Sequence, residues 1–330
     1  MFTDEHRCTI WEQIRQHDLR VFGRFLTPAT FLDAAQRTGV RLGNSALSLP
    51  TLVMLGLSAA CHLTVAFSDV LVLTLKIIKD GEHWKDTPLA DACKKVQRSR
   101  NASSKRRSKY DPRGGDPVAV TEEAYVQARK RMPIAYWFTL LTILGERFES
   151  QHGQYLRWKD FRLLTLDGTT LNLPNRQALR DHFGSAKNGK SWRAQARMVM
   201  LQFPLTRLPF RYELGTLAEG ERAVAARLLD GLLPKDLVLM DQGFWSYRLF
   251  WQIAGRNAYF AIRRFDQAHF KRVKKLGRND YLVEWTPSDS RQRKDLPKSI
   301  PLRVIEYQIK GFRPTAVVTN MPGSKADFPQ

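Results

Sequence analysis

The sequence predicts an α+β or α/β protein in which a helical N-terminal domain precedes a mixed β-sheet with covering helices. Three observations predict this fold class. The first 155 residues show helical periodicity, residues from about 160 alternate between short strands and helices, and residues 265–330 hold short strands between charged turns. We therefore divide the chain into a helical domain at 1–155, a core at 156–264 and a β-rich insertion at 265–330.

The helical domain is predicted from apolar side chains spaced three and four residues apart. Thr121 followed by two glutamates is a typical helix start, since acidic side chains favour the first turn. Residues 51–78 are apolar over much of their length, but a histidine, an aspartate and a lysine interrupt them, which indicates buried helices rather than a membrane span. Residues 134–148 are predicted to bury one face: Ile134, Trp137, Phe138, Leu141, Leu144 and Phe148.

A strongly basic segment lies between the helical parts, at residues 94–117. It has six basic residues and no acidic one from Arg98 to Lys109, shows no apolar period, and ends in glycines and a proline. One interpretation is a solvated linker, and the other is an arm that contacts nucleic-acid phosphates. The residues predicted to contact DNA there are Arg98, Arg100, Lys105, Arg106 and Arg107.

The core is predicted from the change of pattern near residue 160. Short apolar runs bounded by Gly, Pro and Asn favour strands, and apolar residues at helical spacing favour covering helices. The predicted order is strand, turn and second strand within 161–174, strands 195–203 and 210–217, a helix over 224–232, strand 237–240, a helix from Ser246 to Ala254, and strand 258–264.

The charge limits the class of partner. Lys and Arg number 53 against 32 Asp and Glu, a formal net charge of +21. A field of this size attracts polyanions, so nucleic acid is the first partner predicted and an anionic membrane surface the second.

The cysteines and the N-terminus indicate the compartment. The three cysteines lie far apart and form no Cys-x2-Cys pair, which argues against a disulfide framework and against structural zinc. The N-terminal residues lack the apolar stretch of a secretory signal, so a reducing, cytoplasmic location is expected.

Two aspartates end predicted strands at equivalent places. Asp167 closes the stretch RLLTLD before Gly168, and Asp241 closes LVLMD before Gln242 and Gly243. Asp-Gly at a strand end is most often a turn. If both strands belong to one sheet, the carboxylates can instead converge and hold a divalent metal such as Mg²⁺. The residues alone leave both interpretations open.

Three stretches together resemble transposases of the insertion-sequence 4 family: TLDGTTLNLPN at 165–175, ARMVMLQFPLTRLPFRYELG at 196–215 and LMDQGFWSYRLFWQI at 239–253. These are DDE enzymes with a ribonuclease-H-like core, which cleave phosphodiester bonds at transposon ends and transfer the strand to new DNA. The resemblance implies that Asp167 and Asp241 are catalytic metal ligands, with Mg²⁺ as the cofactor and Mn²⁺ able to substitute. It also implies double-stranded DNA as partner (terminal inverted repeats and target), a homodimer on DNA, and a bacterial, nucleoid-associated location.

The family continues after its β-rich insertion into a helix with the pattern Tyr-x2-Arg-x3-Glu-x6-Lys, whose Glu is the third metal ligand. This spacing does not occur in the sequence, so we expect a chain cut short before its third acid and catalytically incomplete. Glu284 and Glu306 are interpreted as solvent-facing strand residues. The alternative function is a DNA-binding protein without catalysis that occupies transposon ends, or a regulatory or relic fragment.

A second basic cluster begins where the core meets the insertion. A charge run is usually a solvated face, but this one follows the second aspartate closely enough to bind phosphate. Trp285 alternates with Val283 and Tyr281, which favours core packing. The further residues predicted to contact DNA are Arg263, Arg264, Lys271, Arg272, Lys274 and Lys275, with Lys190 and Arg193 in a separate loop.

Overall fold

The structure is a computed structural model that describes residues 22, 25–42, 47–61, 70, 71, 74, 121–188, 191–287 and 294–322. The chain forms two compact units, residues 1–144 and 145–330. The boundary between the two units lies between Leu144 and Gly145. The domain limits predicted at residues 155 and 264 stay predictions.

The first unit is helical. Its described helices are α1 Pro28–Thr38, α2 Leu49–Cys61, α3 Glu122–Lys130 and the first part of α4 Ile134–His152. Helix α1 begins at the N-cap Thr27 and ends at Gly39, whose φ of 67° is the left-handed conformation common at helix ends. Helix α3 begins after Thr121, whose hydroxyl accepts the N–H of Ala124 at 3.1 Å. The predicted start at Thr121 is therefore confirmed.

The buried face of α4 differs from the predicted one. Tyr136, Leu140 and Ile143 are buried at four- and three-residue steps, whereas Ile134 is 72% exposed. The helix carries apolar residues on more than one side, so periodicity alone did not select the face that packs. Among the described residues, no helix is both long enough and apolar enough to cross a membrane.

Within the described part of the second unit, eleven strands form one mixed sheet. They are β1 Arg157–Trp158, β2 Phe161–Asn172, β3 Ser185–Asn188, β4 Ser191–Phe203, β5 Leu208–Gly215, β6 Asp236–Met240, β7 Tyr259–Arg263, β8 Lys271–Gly277, β9 Asp280–Trp285, β10 Ile300–Tyr307 and β11 Thr315–Thr319. The order is β3-β4-β2-β6-β7-β11-β10-β9-β8, with β1 beside β2 and β5 beside β4. The prediction of a mixed sheet with helices is confirmed.

Strand β2 lies between β4 and β6 and is continuous from Phe161 to Asn172. The sequence predicted a turn after Asp167, and that prediction is wrong. The strand pairs with β4 from Thr165 opposite Gln202 to Asn172 opposite Gln195, so the Asp-Gly step stays extended. Its other neighbour, β6, runs parallel to it, and β7 runs parallel to β6.

Helices cover one face of this sheet, which we call the helix-covered face. They are α6 Glu221–Leu228 and α7 Tyr247–Ala254, while α5 Gln177–Phe183 lies between β2 and β3 in the chain. Helix α7 begins at Ser246, whose Oγ accepts the N–H of Leu249 at 3.4 Å, as the sequence predicted. The core under these helices contains Leu164, Leu166, Val199, Val224, Leu228, Val238, Met240, Phe250 and Ile253. The opposite face of the sheet, which we call the second face, carries a smaller apolar cluster of Leu163, Leu237 and Met321.

The strands of the region predicted as a β-rich insertion extend the same sheet. Strand β11 pairs antiparallel with β7, and β10, β9 and β8 follow in order. Strand β8 was not predicted from the sequence. Trp285 is buried and packs on Trp245 and Tyr247 with ring centroids 5.2 and 5.3 Å apart. Its predicted role in the core is confirmed.

Candidate functional site

The two aspartates singled out by the sequence lie side by side at one end of the sheet. Strands β2 and β6 run in parallel register from Arg162 opposite Asp236 to Leu166 opposite Met240. Asp167 and Asp241 are the next residue of each strand, so both follow the last register pair at the same level. Neighbouring strands lie about 4.8 Å apart. The two carboxylates can therefore reach a common ligand.

Asp167 is held within a strand rather than in a turn. Its Oδ1 accepts the N–H of Gly168 at 2.9 Å. On the opposite strand face, a Cβ at Gly168 would lie 3.0 Å from the carboxyl carbon of Glu221. Glu221 in turn accepts a hydrogen bond from Arg197 at 2.9 Å. Glycine at 168 thus lets the first residue of α6 approach the strand that carries Asp167.

Asp241 caps the short 3-10 turn Gln242–Phe244. Its Oδ1 accepts the N–H of Gly243 at 2.9 Å. Arg222 of α6 donates from Nε to the carbonyl oxygen of Gly243 at 2.9 Å, and the Gln242 amide donates to the carbonyl oxygen of Arg264. The turn is therefore fixed from both sides. Asp241 therefore caps the turn through Oδ1 and also places a carboxylate at the end of β6.

Both aspartates and one arginine form a row across three strands. Side chains alternate along a strand, so Asp167 lies on the second face with Leu163, and Asp241 lies there with Leu237. Met240 pairs with Ile262 of β7, which puts Arg263 level with Asp241 on the same face. All three side chains are exposed. We call Asp167, Asp241 and Arg263 the site row.

The carboxylates of the site row suit a divalent cation. Each uses Oδ1 to accept a backbone N–H, and neither Oδ2 has a hydrogen-bond partner among the residues that the structure describes. Hard carboxylate oxygens on two fixed strands, with the remaining positions open to water, match the ligand preference of Mg²⁺. Within the described ranges, no third His, Cys, Asp or Glu completes a metal-binding group. The described site therefore offers two protein ligands.

Arg264 does not join this row. Its guanidinium lies 5.5 Å from the ring centroid of Phe270, and Nη2 donates to the carbonyl oxygen of Ala268 at 3.3 Å. The side chain therefore packs against the loop that follows β7. The alternation of side chains along β7 separates Arg263 from Arg264.

The basic residues of β8 form a separate surface. Lys271, Arg272, Lys274 and Lys275 are all exposed on this edge strand. Strand β8 lies four strands from β7, roughly 19 Å at the usual strand spacing. Arg272 is also engaged within the sheet, because it lies 4.0 Å over the Tyr281 ring and 3.7 Å from Glu306. Glu284 is exposed on β9, as predicted.

Other predicted contact residues fall elsewhere. Arg193 is exposed on β4 and pairs there with Ala186 of β3, so it lies further along β4 than Met200, the residue that pairs with Asp167. Six predicted residues lie outside the described part of the chain: Arg98, Arg100, Lys105, Arg106, Arg107 and Lys190.

The structure adds a loop that the sequence reasoning missed. Strand β11 runs antiparallel to β7, so its first residue, Thr315, lies at the site end of the sheet. The loop before it carries exposed Lys310 and Arg313 on either side of Phe312, which is 70% exposed. In the sequence, basic residues on either side of an aromatic residue between two strands could have predicted that this loop contacts nucleic acid.

A buried ion pair at the other end of the same strands was also missed. Arg162 donates from Nε and Nη2 to the two carboxylate oxygens of Asp236 at 2.7 and 2.6 Å, and from Nη1 to Glu149 at 2.7 Å. Burial works against the charged form, but the hydrogen bonds and charges of these two carboxylates outweigh it and raise the pKa of Arg162. In the sequence, a basic residue near the start of one apolar strand and an acidic residue at the start of another could have predicted this ion pair.

The chain is similar to known transposases. The family model of the transposase DDE domain matches residues 158–326. The transposase InsG for insertion sequence element IS4 from Escherichia coli (strain K12) is 25% identical over 204 residues, which cover 60% of this chain and 46% of that protein. The chain thus spans about half the length of the curated relative it matches.

The solved structures that match include one of low similarity. It is the cryo-EM structure of the piggyBac transposase synaptic complex with hairpin DNA, at a TM-score of 0.32 and 10% identity, covering 61% of this chain and 43% of that one. A similarity of this size supports no argument about fold or ligand.

The family match covers the strands that carry both aspartates, the site row and the β-rich extension. The resemblance to the insertion-sequence 4 family is confirmed, and with it comes the general use of divalent metal in this family. The chain belongs to the DDE transposase family, of the insertion-sequence 4 type.

Proposed function

We propose that this chain is the catalytic region of a DNA transposase, with a ribonuclease-H-like core that cleaves phosphodiester bonds at transposon ends and joins them to target DNA. The observation that carries the proposal is the placement of Asp167 and Asp241 at one level on neighbouring parallel strands. Three antiparallel strands followed by two parallel ones support the ribonuclease-H-like assignment.

Asp167 and Asp241 would hold Mg²⁺, and Mn²⁺ would substitute because it accepts the same oxygen ligands. When bound, the ion supplies Lewis-acid activation of the attacking hydroxyl or water and of the phosphodiester. The backbone N–H groups of Gly168 and Gly243 fix one oxygen of each carboxylate. This fixes both side chains in advance, so little reorganisation is needed when substrate binds.

Arg263 would bind the phosphate next to the reacting one or the reacting phosphate itself. Its guanidinium stands beside Asp241 on the same sheet face and is exposed. A guanidinium matches two phosphate oxygens at once and keeps its charge at every physiological pH. Arg263 would therefore orient the DNA backbone against the two carboxylates.

The DNA would extend from the site row over the end of the sheet toward its edge. The loop with Lys310, Phe312 and Arg313 lies at the site end, and the exposed cations of β8 lie further along the same sheet. Phosphate neutralisation at several such positions supplies most non-specific affinity for DNA. The partners we propose are transposon terminal inverted repeats and target DNA, with two copies of the chain pairing two ends.

A second candidate function is DNA binding without cleavage. It is favoured by one observation, which is that no third carboxylate joins the two aspartates within the described residues. A protein with two metal ligands and the same basic surfaces would occupy transposon ends and block or recruit an active copy.

The test uses duplex DNA that carries the terminal repeats of the element encoding this chain. With only two carboxylates at the described site, we expect weak nicking with Mg²⁺ or Mn²⁺ and none with EDTA. Asp167→Asn and Asp241→Asn each remove a metal ligand and should lower the nicking rate roughly 100-fold. Glu284→Gln, an exposed carboxylate on β9, is the matched control and should nick at the wild-type rate.

The outcomes separate the two functions. Binding by the wild-type chain without nicking in either metal would favour the DNA-binding function. Nicking that survives both aspartate substitutions would show that the site assignment is wrong.

A further inference from the structure

We propose that Arg162 and Asp236 are positioning residues that fix the register of β2 against β6 and thereby hold Asp167 level with Asp241. The inference rests on the proposed function of the two aspartates. Arg162 and Asp236 are the first register pair of the two parallel strands, and each lies five residues before an aspartate of the site row. Whatever fixes the first pair therefore fixes the last.

The geometry of the pair is that of a specific, two-point contact. Nε and Nη2 of Arg162 donate to Oδ1 and Oδ2 of Asp236, and Oδ2 also accepts the N–H of Leu233 at 2.7 Å. The residues are 3% and 1% exposed, so water cannot replace these bonds. Both carboxylate oxygens of Asp236 bind the Nε and Nη2 atoms of Arg162. Only one alignment of the two strands allows both hydrogen bonds.

The apolar residues of these strands cannot fix the register by themselves. A slip of one residue would move every apolar side chain to the wrong face, but a slip of two would keep each on its own face. Leu164 and Leu166 of β2 would then meet different members of an equally apolar set on β6, such as Val238. The slipped alignment would leave Arg162 and Asp236 buried without each other, which is strongly unfavourable.

A slip of two residues would disrupt the site. At about 3.3 Å per residue, one aspartate would move about 6.6 Å along the strand relative to the other. Paired catalytic ions lie only about 3.5–4 Å apart, and a single ion needs its ligands closer still. The carboxylates would no longer reach a shared ion, although the sheet would keep its strands and its core.

The chain offers a matched control. Arg303 of β10 donates from Nε and Nη2 to Asp280 at 2.8 and 2.6 Å, so it forms the same two-point contact. Arg303 is also 3% exposed. This pair joins β9 and β10, and it does not set the register of the strands that carry the site row.

The experiment measures the register directly. Cys8, Cys61 and Cys93 are replaced by serine, Asp167→Cys and Asp241→Cys are introduced, and a short thiol-to-thiol cross-linker is added. We expect efficient cross-linking between positions 167 and 241. Adding Arg162→Met with Asp236→Leu should remove most of the cross-linked product, whereas Arg303→Met with Asp280→Leu should leave it unchanged. Circular dichroism should show a folded sheet in both double variants.

A second measurement reports the consequence for the site. In the chain with native aspartates, Arg162→Met with Asp236→Leu should weaken Mn²⁺ binding by about tenfold, the effect usual for a residue that orients a metal ligand. Unchanged cross-linking would overturn the positioning role, whatever happens to Mn²⁺. Efficient cross-linking in the chain with Asp167→Cys and Asp241→Cys, together with no Mn²⁺ binding by the chain with native aspartates, would contradict the proposed function and leave the register inference supported. If the apolar double variant does not fold, Arg162→Lys replaces it, and undiminished cross-linking there would overturn the inference.

Discussion

Asp167 and Asp241 are 74 residues apart in the chain, and each follows by one position the register pair Leu166–Met240. If they hold one ion together, their contributions to binding cannot be independent. We predict that Asp167→Asn and Asp241→Asn each weaken Mn²⁺ binding by about tenfold or more, and that the double variant is scarcely weaker than either single one. Titration calorimetry of the four proteins checks this. Additive losses would indicate two separate weak sites.

Arg263 should contribute to DNA binding through phosphate rather than through base recognition. Arg263→Ala should lower the slope of log affinity against log salt by about 0.9, the effect of one lost phosphate contact, on duplexes of any sequence. Lys298 is an exposed cation just before β10, at the opposite end of that strand from the site. Lys298→Ala should leave the slope unchanged, and an equal loss in both variants would argue against a specific contact by Arg263.

The ion pair of Arg162 and Asp236 should affect stability in a non-additive way. Arg162→Met alone leaves a buried carboxylate without its partner and should cost about 3–5 kcal/mol in the free energy of unfolding. The double variant with Asp236→Leu should recover part of that loss, because neither charge of the pair remains buried, although Glu149 still lacks its hydrogen bond from Arg162. Urea denaturation of the single and double variants measures the difference. A double variant as unstable as the single one would indicate that packing, and not charge, dominates there.

Gly215 should tolerate no side chain. A Cβ there would lie 2.5 Å from Cγ2 of Val224, a fully buried residue of α6. Gly215→Ala should therefore cost about 1–3 kcal/mol, the usual range for an overpacked core. Gly277→Ala is the control, because its Cβ would meet Asp280 at an ordinary 3.5 Å. Thermal unfolding should show a clear decrease in Tm for the first variant and little change for the second.

Glu219 should make a small, pH-dependent contribution to stability. Its hydrogen bond from Arg227, then the one from the backbone N–H of Thr216, lowers the pKa of Glu219 below its ordinary value of 4.5. A lowered pKa in the folded state stabilises the protein above the unfolded pKa, and this stabilisation is lost as the pH falls through the folded value. Because the pair is largely solvent-exposed, we expect Glu219→Gln to cost at most about 1 kcal/mol at pH 7.

The measurement is urea denaturation at pH 7 and at pH 3. The difference between wild type and Glu219→Gln should shrink at the lower pH, because the stabilisation from the lowered pKa of Glu219 is lost as the pH falls toward and through that pKa. In an Arg227→Met background the substitution should have a smaller effect at pH 7. A difference that grows as the pH falls would contradict the sign of the shift.

Local sequence was enough to find the aspartates but not to describe their surroundings. The motif around Asp241 predicted both a turn and a carboxylate at a strand end, and the structure has both. The same reasoning predicted a turn at Asp167, where the chain stays extended because β4 pairs with it on one side. An Asp-Gly step favours a turn only when no neighbouring strand holds it.

Arg263 and Arg264 show the same limit for the basic cluster. Both were predicted to contact DNA from charge alone, yet only Arg263 stands in the site row, and Arg264 packs on Phe270. Charge runs in a sequence do not specify which face a side chain takes. That depends on the strand ladder and on which neighbours fill the space beside it.

The sequence by itself determined the order of the core elements from β4 to β7, the basic character of the chain, the family, and the choice of Asp167 and Asp241 as candidate metal ligands. These depend on residue types and on spacing along the chain. Tertiary structure alone decided that the two aspartates stand level, that Arg263 joins them, and that Arg162 meets Asp236 at the start of the same strands. The register between β2 and β6 is set by pairing between residues that are 74 positions apart in the chain. The residue pattern of either strand by itself therefore cannot predict it.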